Sequence, residues 1–358
     1  MNLDNLSLFK QLDPQDMLAH IDGLPDQLQI AWKLSQKQPF EGLESSKDSL
    51  RQIVICGMGG SAIGADLVSA AVMDTCSVPI IVNRDYGLPA FAKGPETLVI
   101  CSSHSGNTEE TLSAFETALD AGCRVVAVTT GGKVAEKARQ NNIPCFQYTY
   151  PSQPRAAVGY SFGLMLSIVA RLNLIPDPHG ELVETVNQMK LAQSQIQAEV
   201  PTSKNLAKRV AGQLIDRWVA VIGAGILSPV ARRWKAQINE ISKSWGQFDH
   251  LPESDHNTLA GIDHPSELLH QTMVLFLRIP SDQSRNLLRI NLTKKAFMLQ
   301  GLGTDFIDAS GNTPLAHLWT TVNLGDYIAY YLAMCYEVDP TPVDTIEGFK
   351  REMVEDVV

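Results

Sequence analysis

From Gln52 onward the chain alternates short apolar, β-branched runs with longer stretches whose apolar positions recur at helical spacing. QIVIC (52–56) predicts a strand, and SAIGADLVSAAVM, beyond a glycine turn, predicts a helix. VPIIVNRD and ETLVICSS predict two more strands, TEETLSAFETALDAG a helix closed by Gly122, and CRVVAVTT a strand ending at Gly131 and Gly132. NNIPCFQYTY predicts a last strand and YSFGLMLSIVARLNLI a buried helix. Strands covered on both faces lose the polar alternation of half-exposed ones, so this pattern points to a parallel sheet with helices on each side.

The pattern then restarts. RWVAVIGAGILSPVARRWKAQINE (217–240) echoes RQIVICGMGGSAIGADLVSA (51–70): a basic residue, an apolar strand, a glycine turn and a helix. MVLFLRIP and FMLQGLGTDFIDA predict further strands, the second with its start left open. LWTTVNLGDYIAYYLAMCYEV predicts a long apolar helix, suited to a core or to an interface between copies. The expected fold class is α/β, with two doubly wound parallel-sheet halves. The expected division is a polar, partly helical lead-in (1–50), a first half (51–175), a linking helix (176–204), a second half (205–330) and a C-terminal helical tail (331–358).

Composition narrows the partners. A net charge of −10 argues against nucleic acid, and any bound anion must be held by local geometry rather than by the overall field. Six cysteines lie scattered without CxxC or close histidine spacing, which favours reduced thiols over a disulfide scaffold or a zinc site. The first residues carry no apolar signal-like core, and SFGLMLSIVA is too short before Arg171 to span a bilayer. The expectation is a cytoplasmic protein with no membrane partner.

Candidate chemistry gathers at two turns. CSSHSGNTEETL (101–112) leaves a buried strand and presents Ser102, Ser103, Ser105 and Thr108 just before a helix. Unpaired N–H groups and the positive end of a helix dipole gather at such a point, which suits an anion. Asn107 and Glu110 predict a capping box, which accounts for part of the stretch but not for the hydroxyls ahead of it. Phosphate needs many donors and little bulk, and Ser103, Ser105 and Thr108 offer both, with Gly106 supplying backbone freedom. In GMGGSAIG (57–64) the glycines do not fall in the dinucleotide spacing GxGxxG, and no suitably placed acidic residue follows a second strand, so a nicotinamide cofactor is disfavoured. Gly59 and Gly60 instead let backbone approach a ligand closely, with Ser61 at the helix start.

GMGGSAIGADL, SSHSGNTEET, QPRAAVGY, KAQINEISKSW, PESDHNTLAG and GDYIAYYLA…VDPTPVDTIEGFK occur in the same order as in the sugar isomerase (SIS) family. Together they resemble its bifunctional phosphoglucose/phosphomannose isomerase branch, over almost the whole chain from about residue 50. His104, Ile241 and the HNT triplet depart from the branch's usual residues, and none of the three departures removes a group that the chemistry requires. The resemblance implies interconversion of glucose 6-phosphate and fructose 6-phosphate, and of mannose 6-phosphate and fructose 6-phosphate, through an enediolate. It implies phosphate on Gly59, Gly60, Ser61, Ser103, Ser105 and Thr108, and Glu240 as the base that moves a proton between C1 and C2. His256 would open the sugar ring, Lys350 would assist at the ring oxygen, and Arg155 would stabilise the enediolate. Thr341 would help accept both C2 epimers, with Thr345 as its competitor.

By themselves, Glu240 reads as an ordinary helix-end carboxylate, Lys350 as a solvated lysine and Arg155 as a surface arginine paired with an acid. The family also implies a homodimer in which the histidine enters the neighbour's site. The eight histidines show no HxH or HExxH spacing, so no metal is expected, and the scheme requires no cofactor. Two readings compete: a sugar-phosphate sensor without turnover, and an isomerase of another sugar phosphate. The sensor would normally carry a basic DNA-binding module, which the acidic N-terminus does not offer.

Overall fold

A computed structural model describes residues 2–40, 43, 49–280 and 282–355. Residues 1, 41, 42 and 44–48 of the expected lead-in, 281 of the expected second half, and 356–358 of the expected tail lie outside the described residues. Three helices, α1 (Leu6–Leu12), α2 (Met17–Asp22) and α3 (Leu24–Ser35), precede the first sheet. That half then runs β1 (Gln52–Cys56), α4 (Gly59–Ala71), β2 (Ile80–Asn83), β3 (Thr97–Ser103), α5 (Glu109–Asp120), β4 (Arg124–Thr129), α6 (Gly132–Gln140), β5 (Cys145–Gln147) and α7 (Val158–Arg171). Its five strands are all parallel, in the order β2-β1-β3-β4-β5.

Helices α8 (His179–Gln193) and α9 (Leu206–Leu214) lead to the second sheet. Its elements are β6 (Trp218–Ala224), α10 (Ser228–Ile241), β7 (Gly246–Leu251), α11 (Ser266–His270), β8 (Thr272–Arg278), α12 (Ser284–Leu299) and β9 (Gly303–Asp308). The strand order β7-β6-β8-β9, again parallel, repeats the first four positions of the first sheet. Helices α13 (Pro314–Cys335) and α14 (Asp344–Glu355) close the chain. This is the expected α/β architecture of two parallel sheets.

Period-two alternation sorts each strand between two cores. Ile53 and Ile55 of β1, with Leu98 and Ile100 of β3, join a large central core, while Val54, Cys56, Val99 and Cys101 face α5 and α6 on the other side. In the second sheet Val219 and Val221 join the same central core, whereas Ile222 and Phe276 pack beneath α12. The central core is filled by α4, α7, α10 and α13, so one apolar interior unites both halves. Helix α13 is buried over most of its length in this chain's own core, which answers the choice between core and interface left open by its apolarity.

The structure adds to the sequence reading at four places. The lead-in is a packed part of the first half: Leu24, Leu28, Ala31 and Trp32 form one face of α3 against α7. A Cβ on Gly163 would come within 2.7 Å of the Ala31 Cβ, so the two helices meet at a glycine. The linking segment 176–204 is helical only over His179–Gln193. The strand within FMLQGLGTDFIDA, whose start the sequence leaves open, begins at Gly303, because Phe297–Leu299 complete α12 and Gly301 turns the chain at a φ of +89°. Strand β7 is absent from the sequence expectation because GQFDHL is mostly polar, as suits an edge position where only its end residues are buried.

Candidate active site

In the first sheet, the connection after β1 passes to one side and the connection after β3 to the other. The carboxyl ends of these two neighbouring strands therefore frame a crevice, the usual ligand position in open α/β sheets. The glycine turn leaves β1 and the hydroxyl loop leaves β3, so strand order alone brings the two motifs together. Gly59 enters α4 at a φ of +49°, a left-handed conformation that favours glycine. Gly60 has room for no side chain: a Cβ there would lie 2.6 Å from the Pro154 carbonyl oxygen. The helix N-terminus thus meets the turn that carries Arg155.

Within the hydroxyl loop, Ser103 Oγ lies 2.9 Å from Thr108 Oγ1 and accepts from the Gly106 N–H at 3.1 Å. Ser61 Oγ accepts from the His104 N–H at 3.2 Å, which joins the loop to the start of α4. Ser105 is exposed, and its Oγ accepts from the Asn107 N–H. The expected capping box is not formed. Thr108 takes the N-cap position without a side-chain cap bond, and the Asn107 amide oxygen instead accepts from the Lys133 N–H at 3.2 Å. Asn107 is drawn to α6 because Gly106 packs against Gly131 there, leaving no space for a Cβ.

His104 bolts this loop to the following segment. Its Nε2 lies 3.0 Å from the Ser152 carbonyl oxygen, which can only accept, so Nε2 carries the proton. Nδ1 then accepts from the Tyr148 hydroxyl at 3.0 Å. Burial lowers the His104 pKa from 6.5 and outweighs the opposing hydrogen bond to Ser152, keeping the ring neutral.

From the second half, the end of α10 meets the turn that carries Arg155. Glu240 Oε2 lies 3.6 Å from Arg155 Nη1, with the arginine side chain 2% exposed and the glutamate 28%. Arg155 Nη2 donates to the carbonyls of Pro340, at 3.0 Å, and Thr341. Burial lowers the Arg155 pKa and the Glu240 carboxylate raises it. Arg155 Nε and Thr341 Oγ1 are both buried without a hydrogen-bond partner among the described residues. Of the two competing threonines, Thr341 is buried against Arg155 and Thr345 is exposed on α14.

Gly59, Gly60, Arg155 and Glu240 line one cavity of about 320 Å³ between the two halves. Four further cations line it and were missed in the sequence: Arg84, Arg232, Arg233 and Lys235. RRWK (232–235) was a legible basic run, but helical spacing alone did not say which way it faced. Glu240 is the one carboxylate among the lining residues, so the pocket is locally cationic within an acidic protein. A wider open groove of about 1130 Å³ shares Arg232 and Phe248 with it. That groove contains neither Arg155 nor Glu240, and its size does not make it the chemical centre. His256 is exposed at the end of a 3-10 turn (Glu253–His256) and Lys350 is exposed on α14; neither lines the cavity, nor do Ser61, Ser103, Ser105, Thr108 and Thr341.

Residues 203–353 match the family described as bacterial phospho-glucose isomerase C-terminal SIS domain. The chain is 38% identical to a bifunctional phosphoglucose/phosphomannose isomerase of Caldicellulosiruptor bescii, over 95% of this chain and 99% of that one. It is 35% identical to the protein of the same name in Aquifex aeolicus, over 88% of this chain and 94% of that one. Among solved structures, a hypothetical protein of Thermus thermophilus shares the fold at a TM-score of 0.73 and 17% identity, covering 98% of this chain and 94% of that one. With near-complete coverage of its relatives at this identity, the chain belongs to the bifunctional phosphoglucose/phosphomannose isomerase family.

Proposed function

We propose that the protein interconverts glucose 6-phosphate and fructose 6-phosphate, and mannose 6-phosphate and fructose 6-phosphate, through an enediolate without a metal. The observation that carries this reading is the Arg155–Glu240 pair, 3.6 Å apart at a cationic cavity that Gly59 and Gly60 of the glycine turn also line. The substrate phosphate sits on Ser61, Ser103, Ser105 and Thr108 at the start of α4 and α5, where hydroxyls, backbone N–H groups and helix dipoles converge. Glu240 takes the proton from C2 of the aldose and returns it to C1, and the reverse path starts at C1 of the ketose. The electron pair left on carbon moves onto the carbonyl oxygen, where the Arg155 guanidinium meets the new negative charge. A fixed cation in a partly buried site does this without reorganising solvent.

His256 exchanges the protons of ring opening. Its exposed position outside the cavity supports delivery to the site of a second copy, in a homodimer with shared active sites. Lys350 assists at the ring oxygen when α14 approaches the site. We place the protein in the cytoplasm, in glycolysis and gluconeogenesis. Among the described residues no helix is long and apolar enough to cross a membrane, and all six cysteines are free.

The test is an assay in EDTA with fructose 6-phosphate, measuring glucose 6-phosphate and mannose 6-phosphate separately, beside Glu240→Gln. Both products from the wild type and neither from the variant is the expected result. Glucose 6-phosphate alone would remove the dual specificity. Tight binding of fructose 6-phosphate without turnover would replace the enzyme with a sensor.

A further inference from the structure

Lys243 follows α10 in a left-handed backbone conformation, φ +57°, so its side chain turns back over the helix end. Its ammonium donates to the Glu240 carbonyl at 2.6 Å and to the Pro340 carbonyl at 3.4 Å. Pro340 O is the same atom that accepts from Arg155 Nη2. One carbonyl is therefore shared by two cations, one from each half of the molecule. Next to it, the Thr341 N–H donates to Asp339 Oδ1 at 2.8 Å, and the Thr341 carbonyl accepts from Arg155.

Resting on the isomerase reading, we propose that Lys243 is a positioning residue. Its ammonium clamps the Asp339–Thr341 segment to the end of α10, and so holds Arg155 and Thr341 in register with the Glu240 carboxylate.

The charged groups around Lys243 decide when the clamp works. Lys243 is an exposed residue, but its ammonium is turned in against the Pro340 carbonyl. Desolvation there, with the neighbouring Arg155 charge, lowers its pKa to about 8 against the raising effects of Asp339, Glu240 and Asp344. The ammonium loses its proton as pH rises through about 8, and the clamp loses its charge. Activity then falls on the alkaline side. Folding stability responds in the opposite sense at this group. The unfolded chain holds the proton up to the ordinary value of 10.5, so raising the pH from about 8 towards 10.5 favours the folded state. An alkaline loss of turnover caused by Lys243 is therefore not unfolding.

The experiment measures kcat and KM on fructose 6-phosphate from pH 6.5 to about 10 for wild type, Lys243→Arg and Lys243→Met. Hydrogen exchange of peptides covering 337–346 is measured alongside. We expect an alkaline limb in wild-type kcat near the lysine's own titration, and its displacement to higher pH in Lys243→Arg, because a guanidinium stays charged there. Lys243→Met should lose about ten-fold in kcat at pH 7, since small misplacements of a catalytic group carry losses of that order or more. It should show little change in KM and faster exchange in 337–346. An unmoved limb in Lys243→Arg, or wild-type kcat and exchange in Lys243→Met, would overturn the proposal. If Lys243→Met does not fold, the Lys243→Arg profile decides alone. If the wild type proves inactive, the isomerase reading fails, while the exchange of 337–346 still tests the clamp.

Discussion

Arg233 donates through Nη2 to the backbone carbonyl of Arg155 at 2.7 Å. The same guanidinium forms a two-pronged pair with Asp326 of α13, at 2.8 and 3.2 Å, with both side chains almost fully buried. One arginine thus fixes the peptide that carries another. Removing either member of this pair strands a charge in the interior, so Asp326→Ala should cost roughly 3–5 kcal/mol in urea unfolding. Replacing both, as Arg233→Met with Asp326→Leu, should recover much of that stability but not the turnover, because the Arg155 carbonyl keeps no donor. Recovery of both would separate Arg233 from the chemistry.

Gly60 gives a test of the close approach between α4 and the Arg155 turn. A methyl group there meets Pro154 backbone rather than a yielding side chain. Gly60→Ala should displace Arg155 and lower kcat/KM by about ten- to a hundred-fold, with a stability loss of roughly 1–3 kcal/mol from overpacking. Steady-state kinetics with a thermal melt measure both. Wild-type kinetics in the variant would show that the turn shifts without consequence for the site.

His104 predicts a pH dependence. Its pKa in the folded protein lies below 6.5 because of burial, so below about pH 6.5 the unfolded chain binds more protons than the folded one. The stability that His104 contributes is therefore present above 6.5 and lost as the pH falls. In His104→Asn, which does not titrate, urea midpoints should drop less than in wild type between pH 7.5 and 5. A constant difference between the two proteins over that range would rule the effect out.

Thr341 and Thr345 separate cleanly by burial. Thr341→Val keeps the shape and removes a buried hydroxyl that has no partner among the described residues, so stability should change by no more than about 1 kcal/mol. On the proposed role, the ratio of mannose 6-phosphate to glucose 6-phosphate formed from fructose 6-phosphate should fall. Thr345→Val should leave that ratio unchanged. Equal ratios in all three proteins would remove Thr341 from epimer selection.

Much of the fold was readable because strand and helix leave different periods in the apolar pattern. QIVIC, TLVICSS and RVVAVT are buried over nearly their whole length, and their apolarity says so directly. Strand β7 was not readable, because GQFDHL has only two apolar residues and its polar letters resemble a loop, whereas the edge strand β2 announces itself with IIV. The capping box was a sound local inference from NTEE. It lost to a tertiary contact, the packing of Gly106 on Gly131, which pulls Asn107 towards α6.

The chain alone determined the alternation of strands and helices, the repeat of the glycine turn, the hydroxyl loop and the order of motifs that marks the family. These are local or sequential properties, written in neighbouring residues. Only the tertiary structure decided that Arg155 and Glu240, which come from different halves of the chain, form one pair. It also turned Arg84, Arg232, Arg233 and Lys235 into one cavity, and left His256 and Lys350 outside it. Which side chains meet depends on how two sheets share one central core, and that packing joins residues whose sequence separation carries no mark of their contact.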